Sequence, residues 1–449
     1  MVKAYFFKLN KIPLLLALTS LLFYVAFAYD LQRTDIIKLL TLYTGLFYLF
    51  YIIIQLIKHD IKLLTWIAFS FRAIFILAIP NLSQDFYRFI WDGRMIYEGL
   101  NPYLFTPDYF IDNHIFPVAQ AQELHAGMGN LSASHYTNYP PLNQLCFYIA
   151  SVFAGNSILG SIIVLRIIII AADFGILYFG KKLLTRLNLP SYNIFWYLLN
   201  PFIIIELTGN LHFEGVMIFF LIWSLYLLHK SKWQWSAFLL ACSISIKLIP
   251  LIFIPLLYTN LGLKKCIGFL GIIGFISLLL FFPFLSEAFT QNYIETTGLW
   301  FQNFEFNASV FYIARAIGDY FLGFNIISYY GITIVILLPF LIIILSIKNR
   351  QKATMQNLFN LMLFSICIYY FLATTVHPWY IATPVILSVF TRFKFALIWS
   401  FMVILSYTAY IQADYQENIW AITLEYIIVF SVFLYELTKK RNTFENKLT

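Results

Sequence analysis

The feature that most constrains this chain is a succession of apolar runs close to membrane-spanning length, separated by short polar turns. They fall at 13–29, 37–57, 61–80, 157–180, 191–209, 212–229, 266–286, 325–347, 355–373, 377–391, 395–412 and 418–437. Backbone polar groups inside a bilayer must be satisfied within the segment, so runs of this kind fold as helices. With 61% hydrophobic and 11% charged residues, the chain could not cover its apolar surface in water. The same numbers exclude disorder. The net charge of +8 is scattered along the chain, so a nucleic-acid partner is not expected. The fold class read from the sequence is an all-α polytopic membrane protein of about twelve crossings, forming one transmembrane domain over 1–449.

Two apolar segments stand outside that count. Residues 142–156 are short and are expected at the outer interface or as a re-entrant piece. Residues 234–260 hold two short pieces meeting at Leu248-Ile249-Pro250, expected as a re-entrant hairpin. Orientation follows from basic residues. Of the 29 Lys and Arg, 21 fall on one set of loops, among them Lys3, Lys8, Lys58, Lys181, Lys182, Lys264, Lys348, Lys440, Arg441 and Lys447. Positive-inside bias makes that side cytoplasmic, with both termini inside and the 81–141 loop outside. Lys3, Lys8 and Lys11 before the 13–29 run resemble a signal peptide, but the run is long and the even helix count expects it retained. Cys146, Cys242, Cys266 and Cys367 lie in or beside apolar runs without metal or disulfide spacing and are expected as packing residues.

Polar residues concentrate in four places. The first is Ser83-Gln84-Asp85-Phe86-Tyr87-Arg88-Phe89-Ile90-Trp91-Asp92-Gly93-Arg94, just after a span expected to end at Pro80. A helix over 84–98, ended by Gly99, would put Asp85, Arg88 and Asp92 on one face. Trp91, Tyr87 and Phe86 are then expected in the headgroup zone, and an exposed Arg88–Asp92 pair is the structural alternative to chemistry. The second is Glu206 to Gly215, where Asn210, His212 and Glu214 offer groups suited to sugar hydroxyls or a metal, although His-x-Glu alone is a weak ligand set and a capped polar turn is the structural alternative. The third is Lys247, either snorkelling or meeting a phosphate. The fourth is Thr374 to Tyr380, where aromatic-belt anchoring explains Trp379 and Tyr380 but not His377. Arg166 and Asp173, seven apart, are expected to pair with other helices. The 287–308 stretch, with Trp300 and Glu305, reads equally as a sugar-facing surface or an ordinary loop.

Taken in order, these elements resemble the polytopic GT-C type glycosyltransferases, closest to bacterial mannosyltransferases that use a polyprenyl-phosphate sugar. The resemblance rests on Asp85 in SQDFYRFIWDGR, GLNPY at 99–103, YPPL at 139–142, the Gly-Asn-x-His-x-acid turn at 209–214, Lys-x-x-Pro at 247–250 and HPWY at 377–380. It implies transfer of a hexose, mannose by family, from a lipid-linked donor to a hydroxyl on a glycan, lipid or protein acceptor at the outer face of the cytoplasmic membrane. It implies that Asp85, in the first outer loop, is the base. Arg88, Arg94, Lys247 and His377 are the candidate partners of the donor phosphate, and Asp92, Asn210, His212, Glu214, Trp379 and Tyr380 complete the expected substrate surface. A single Asp85 stands where an acidic pair would favour a divalent metal, so metal dependence stays open and no other cofactor is implied. The alternatives are a flippase or transporter for lipid-linked sugars and a ligase for whole glycans. A transporter would need polar residues along a path through the membrane, and a ligase would take a lipid diphosphate.

Overall fold

The computed structural model describes residues 10–302, 304–411 and 415–445, and its regular elements are helical. Lys3, Lys8 and Lys447 lie outside the described residues, as do the side chains of Lys440, Arg441 and Trp300. Among the described residues, seven helices are long and apolar enough to cross a membrane. A bent pair, Pro201–Gly209 with Glu214–His229, would make an eighth span.

The chain opens with α1 (Lys11–Tyr29) and α2 (Ile36–Ile57), followed by α3 (Ile61–Ile74). Asp35 and Asp60 begin α2 and α3 by accepting the backbone N–H of Lys38 and Leu63 at 3.2 and 2.9 Å. The span expected at 61–80 ends earlier. Its α-helix stops at Ile74 and tightens into a turn over Phe75–Leu77. The chain after it forms four helices: α4 (Asp85–Tyr97), α5 (Pro107–Asp112) and α6 (Ala121–Ala133) in the 81–141 loop, and α7 (Pro141–Ala154) at its end. The next helix, α8 (Ile158–Arg186), is long, and Ser157 caps it through Gly160 N–H at 2.9 Å.

The run at 191–209 is not one helix. It breaks at Asn200 and ends in a π-turn, Ile204–Gly209. Breaks free backbone carbonyls that a membrane interior cannot solvate. Buried side chains from distant helices supply the missing donors. Arg72 donates to Leu198 O at 2.6 Å, and Arg166 donates to Thr208 O and Gly209 O at 2.8 and 2.9 Å. The bend of 113° at 210–213 then leads into α9 (Glu214–His229).

The 234–260 segment forms α10 (Trp233–Ile244), a turn, and a tight helical stretch Ile249–Leu257 that carries Pro250 and Pro255. Its turn meets the start of α7, where Ser245 O accepts Leu142 N–H and Asn143 N–H at 3.1 and 3.2 Å. Then come α11 (Tyr258–Phe281), α12 (Glu287–Gln302), α13 (Val310–Leu322), α14 (Ile327–Lys348) and α15 (Met355–Leu372). The amphipathic α13 is an addition to the expected elements; Tyr320 and Phe321 on it are exposed. The runs at 377–391 and 395–412 are short helices, Pro378–Val389 and Phe395–Tyr410, containing α16 (Ala382–Val389) and α17 (Phe395–Met402). They are almost wholly buried in the bundle, and the chain closes with α18 (Ile419–Glu445).

Candidate functional site

Helix α4 matches the expected 84–98 helix to within a residue at each end, and Gly99 ends it with φ of 76°. Its setting does not match. Phe86 and Trp91 are 1% exposed, so they are core residues, not headgroup anchors. The reason is tertiary: α6 and α7 cover the face of α4 that the periodicity left to lipid. The fit is close enough that a Cβ on Gly93 would lie 2.2 Å from Phe147 O, so α4 and α7 meet where glycine alone fits. The Arg88–Asp92 pair exists, at 2.8 Å, but it is buried instead of exposed. Asp92 also accepts from Gln144 Nε2 at 2.9 Å, and Arg88 donates to the carbonyls of Ser132 and His135. Arg94 donates to Ala119 O at 2.6 Å and Gln120 Oε1 at 3.2 Å. These three expected substrate contacts bond α4 to the segments packed on it.

Asp85 begins α4 and is half-buried. Its electrostatic neighbours come from far along the chain: Lys247 from the hairpin turn, Glu214 from the start of α9, and Arg33 from the α1–α2 turn. Burial pushes the Asp85 carboxyl up to about 6, with the Lys247 cation opposing, Glu214 adding and Arg33 opposing. Lys247 Nζ pairs with Glu214 Oε1 at 3.0 Å and lies 5.5 Å from the centre of the Tyr139 ring. Three of the four expected clusters thus supply members of one charged group. Arg33 was not among the expected site residues. Its only sequence signal is that it is one of five basic residues on the acid-rich side.

The fourth cluster packs against the second. Trp379 stacks on His212 with ring centroids 3.7 Å apart and on His377 at 4.6 Å. Phe306 adds a further ring beside His377 at 5.3 Å. His377 is half-buried in this stack and within electrostatic reach of Lys247. Tyr380 is half-buried beside a small cavity lined also by Thr374, Thr375 and Tyr330. Glu206, in the π-turn, accepts the Tyr407 hydroxyl at 2.8 Å and lies 3.8 Å from His212 Nε2. Asn210, expected to face a sugar, is buried and joins the two acidic segments: its Oδ1 accepts Leu82 N–H at 3.2 Å, three residues before Asp85.

The charges inside the bundle each have at least one local partner. Arg72 pairs with Asp173 at 2.6 Å, Arg166 binds three carbonyls including Ile76 O, and Glu425 accepts from Trp399 Nε1 at 2.9 Å. As expected, Arg166 and Asp173 use partners other than each other. Among the described residues, no three His, Cys, Asp or Glu side chains converge in a metal-ligand arrangement. An apolar groove of about 440 Å³ runs between α12 and α14, lined by Tyr293, Ile294 and Thr297 on one side and Ile332, Val335 and Ile336 on the other. Tyr293 also donates to Asn138 O at 3.3 Å, next to the Tyr139 of the charged group.

Residues 19–261, more than half of the chain, match the family described as alpha-(1->6)-mannopyranosyltransferase, N-terminal domain. Residues 209–317 match the ALG3 protein family. Alpha-(1->6)-mannopyranosyltransferase A of Mycobacterium tuberculosis is 23% identical over 144 residues, which is 32% of this chain. The match spans 26% of that relative's length. Asp85, Glu214 and Lys247 all lie within the 19–261 match.

Proposed function

Because the chain belongs to the alpha-(1->6)-mannopyranosyltransferase family, we propose that it is a membrane mannosyltransferase using a polyprenyl-phosphate mannose donor and a hydroxyl acceptor at the outer face of the cytoplasmic membrane. The observation that carries this reading is the meeting of Asp85, Glu214 and Lys247, from three separate segments, beside the His212–Trp379–His377 stack. A carboxylate, cations and aromatic faces are what a sugar transfer between a phosphate and a hydroxyl needs. The acceptor oxygen attacks the anomeric carbon, forming the new C–O bond as the bond from that carbon to the phosphate oxygen breaks. The electron pair leaves on the phosphate, and the acceptor proton passes to the Asp85 carboxylate. His212 and Trp379 form a wall for the sugar. The apolar groove between α12 and α14 suits the lipid tail, its lining being nearly all apolar.

In this reading the chain is one transmembrane domain of twelve crossings. The short buried helices count among the crossings, and the 234–260 hairpin enters and returns. The basic loops and both termini are cytoplasmic, and 81–141 is outside. A transporter is disfavoured because, among the described residues, the interior charges have local partners, Arg72 with the Asp173 carboxylate and Glu425 with the neutral Trp399 N–H. The test is transfer by purified protein in lipid nanodiscs, from polyprenyl-phosphate mannose to an α-mannoside, read by mass spectrometry. A product one hexose heavier supports the reading. Movement of the lipid-linked sugar across vesicles without transfer overturns it, and use of a lipid diphosphate oligosaccharide makes the protein a ligase. Chelator in the same assay reads metal dependence. Cysteine labelling from outside at Ser132 tests the sidedness.

A further inference from the structure

We propose that Arg33 holds the phosphate of the lipid donor, an assignment that rests on the transferase reading above. The cations at this end of the molecule differ in what already occupies them. Lys38 pairs with Asp30 at 2.6 Å, Arg88 with Asp92, Lys247 with Glu214, and Arg315 with Glu305. Arg94 is committed to a backbone carbonyl and to Gln120. Arg33 has no carboxylate in ion-pair contact among the described residues. It donates to two neutral oxygens, Leu82 O at 3.3 Å and the Tyr415 hydroxyl at 3.2 Å. Its guanidinium carbon lies 4.1 Å over the Tyr410 ring. A guanidinium has five N–H donors, so several remain for a ligand.

The side chain is therefore held in place with no carboxylate against it among the described residues. It is half-buried, so part of it is open to a ligand. Its bond to Leu82 O sets it three residues from Asp85, and the Arg33 charge acts on that carboxylate. The charges of Asp85 and Glu214 balance those of Lys247 and Arg33, so a phosphodiester adds one negative charge to a neutral group. That charge doubles as the bond to the anomeric carbon breaks. A planar guanidinium can meet two phosphate oxygens at once and stabilise the leaving group.

The test uses undecaprenyl phosphate and undecaprenol as probes, bound to the full chain in nanodiscs and read by native mass spectrometry. Wild type should prefer the phosphate. Arg33→Met should lose roughly 10–100-fold of that preference, the scale of a hydrogen bond to a charged group, and Arg33→Lys should recover part of it. Undecaprenol binding should stay the same in all three, as should melting. A full preference kept by Arg33→Met overturns the Arg33 assignment alone, since the donor class survives. No preference in wild type overturns the lipid-phosphate donor and the assignment with it. An equal loss for both probes in Arg33→Met makes Arg33 a loop staple between Leu82 and Tyr415, and the proposal falls.

Discussion

Helix α4 carries two aspartates, one at its first residue and one mid-helix, and they differ in every respect that matters to chemistry. Asp85, at the first turn, is half-buried, and its charged neighbours come from other segments. Asp92, two turns on, is fully buried, with one oxygen on Arg88 and the other on Gln144. One carboxylate is held at a cost and left able to accept a proton. The other is neutralised and fixes α4 against α7. Spacing alone put both on one face. What separates them is which distant elements cover each one.

Asp85→Asn gives the largest expected effect on that comparison. The change keeps the shape and removes the proton acceptor, so turnover should fall by about 10²–10⁴-fold with donor binding little altered. Stability should move the other way. The Asp85 carboxyl titrates at about 6 instead of 3.8, so the fold disfavours its ionised form. At pH 8 wild type carries that penalty in full and the amide does not, so melting at pH 8 should be unchanged or higher. The penalty fades as pH falls through 6 towards 4, and the two proteins should converge there. Near-normal turnover in Asp85→Asn would falsify the base assignment.

Asp92→Asn should give the opposite pattern, a loss of stability with turnover nearly kept. Removing one partner of a buried pair leaves Arg88 uncompensated, at about 3–5 kcal/mol. Melting should drop sharply, while turnover per folded molecule stays within a small factor of wild type. Replacing both partners, Arg88→Met with Asp92→Leu, should recover part of the loss. If Asp92→Asn instead melts normally and loses turnover, the roles of the two aspartates are exchanged.

Gly93→Ala probes the same packed region with less force. The new Cβ would press on Phe147 O and C at 2.2 and 2.5 Å, backbone atoms that cannot rotate away. Moving α7 should cost about 1–3 kcal/mol. Gly271→Ala is the control, because nothing lies within 4 Å of a Cβ there. Equal melting of the two variants would mean that α4 and α7 are not held as tightly as described.

The contrast also marks how far the sequence could be read. The spans at 13–29 and 37–57 were legible because apolar length and flanking charge decide them locally. The 84–98 helix was legible from its periodicity and Gly99. The break at Asn200 was not. Its carbonyls are satisfied by Arg72 and Arg166, far away in sequence, and nothing near Asn200 announces them. Trp91 and Phe86 read as interfacial because a single helix shows its amphipathic face but not its cover. Asp85, Glu214, Lys247 and His377 stood out as ionisable groups beside apolar runs. Arg33 did not, because its place near Asp85 depends on how α1 and α2 pack beside the outer loop.

The smallest expected effect is a displacement of the pH profile. A base must be ionised to accept the proton, so wild-type turnover should fall as pH drops through about 6, where the Asp85 carboxyl takes up its proton. That position is set by opposed influences: burial and Glu214 raise it, Lys247 and Arg33 lower it. Lys247→Met removes the larger of the two lowering charges and also frees Glu214, which then repels Asp85 unscreened. Both changes favour the protonated acid, so the acid limb should move to higher pH. Turnover well above the limb should be reduced less than in Asp85→Asn. Lys247→Arg keeps the charge with altered geometry, and its limb should stay close to wild type. A pH–rate series on the three proteins reads this directly. A limb that does not move in Lys247→Met would show that Asp85 does not feel the hairpin cation, and the two aspartates of α4 would then differ in burial alone.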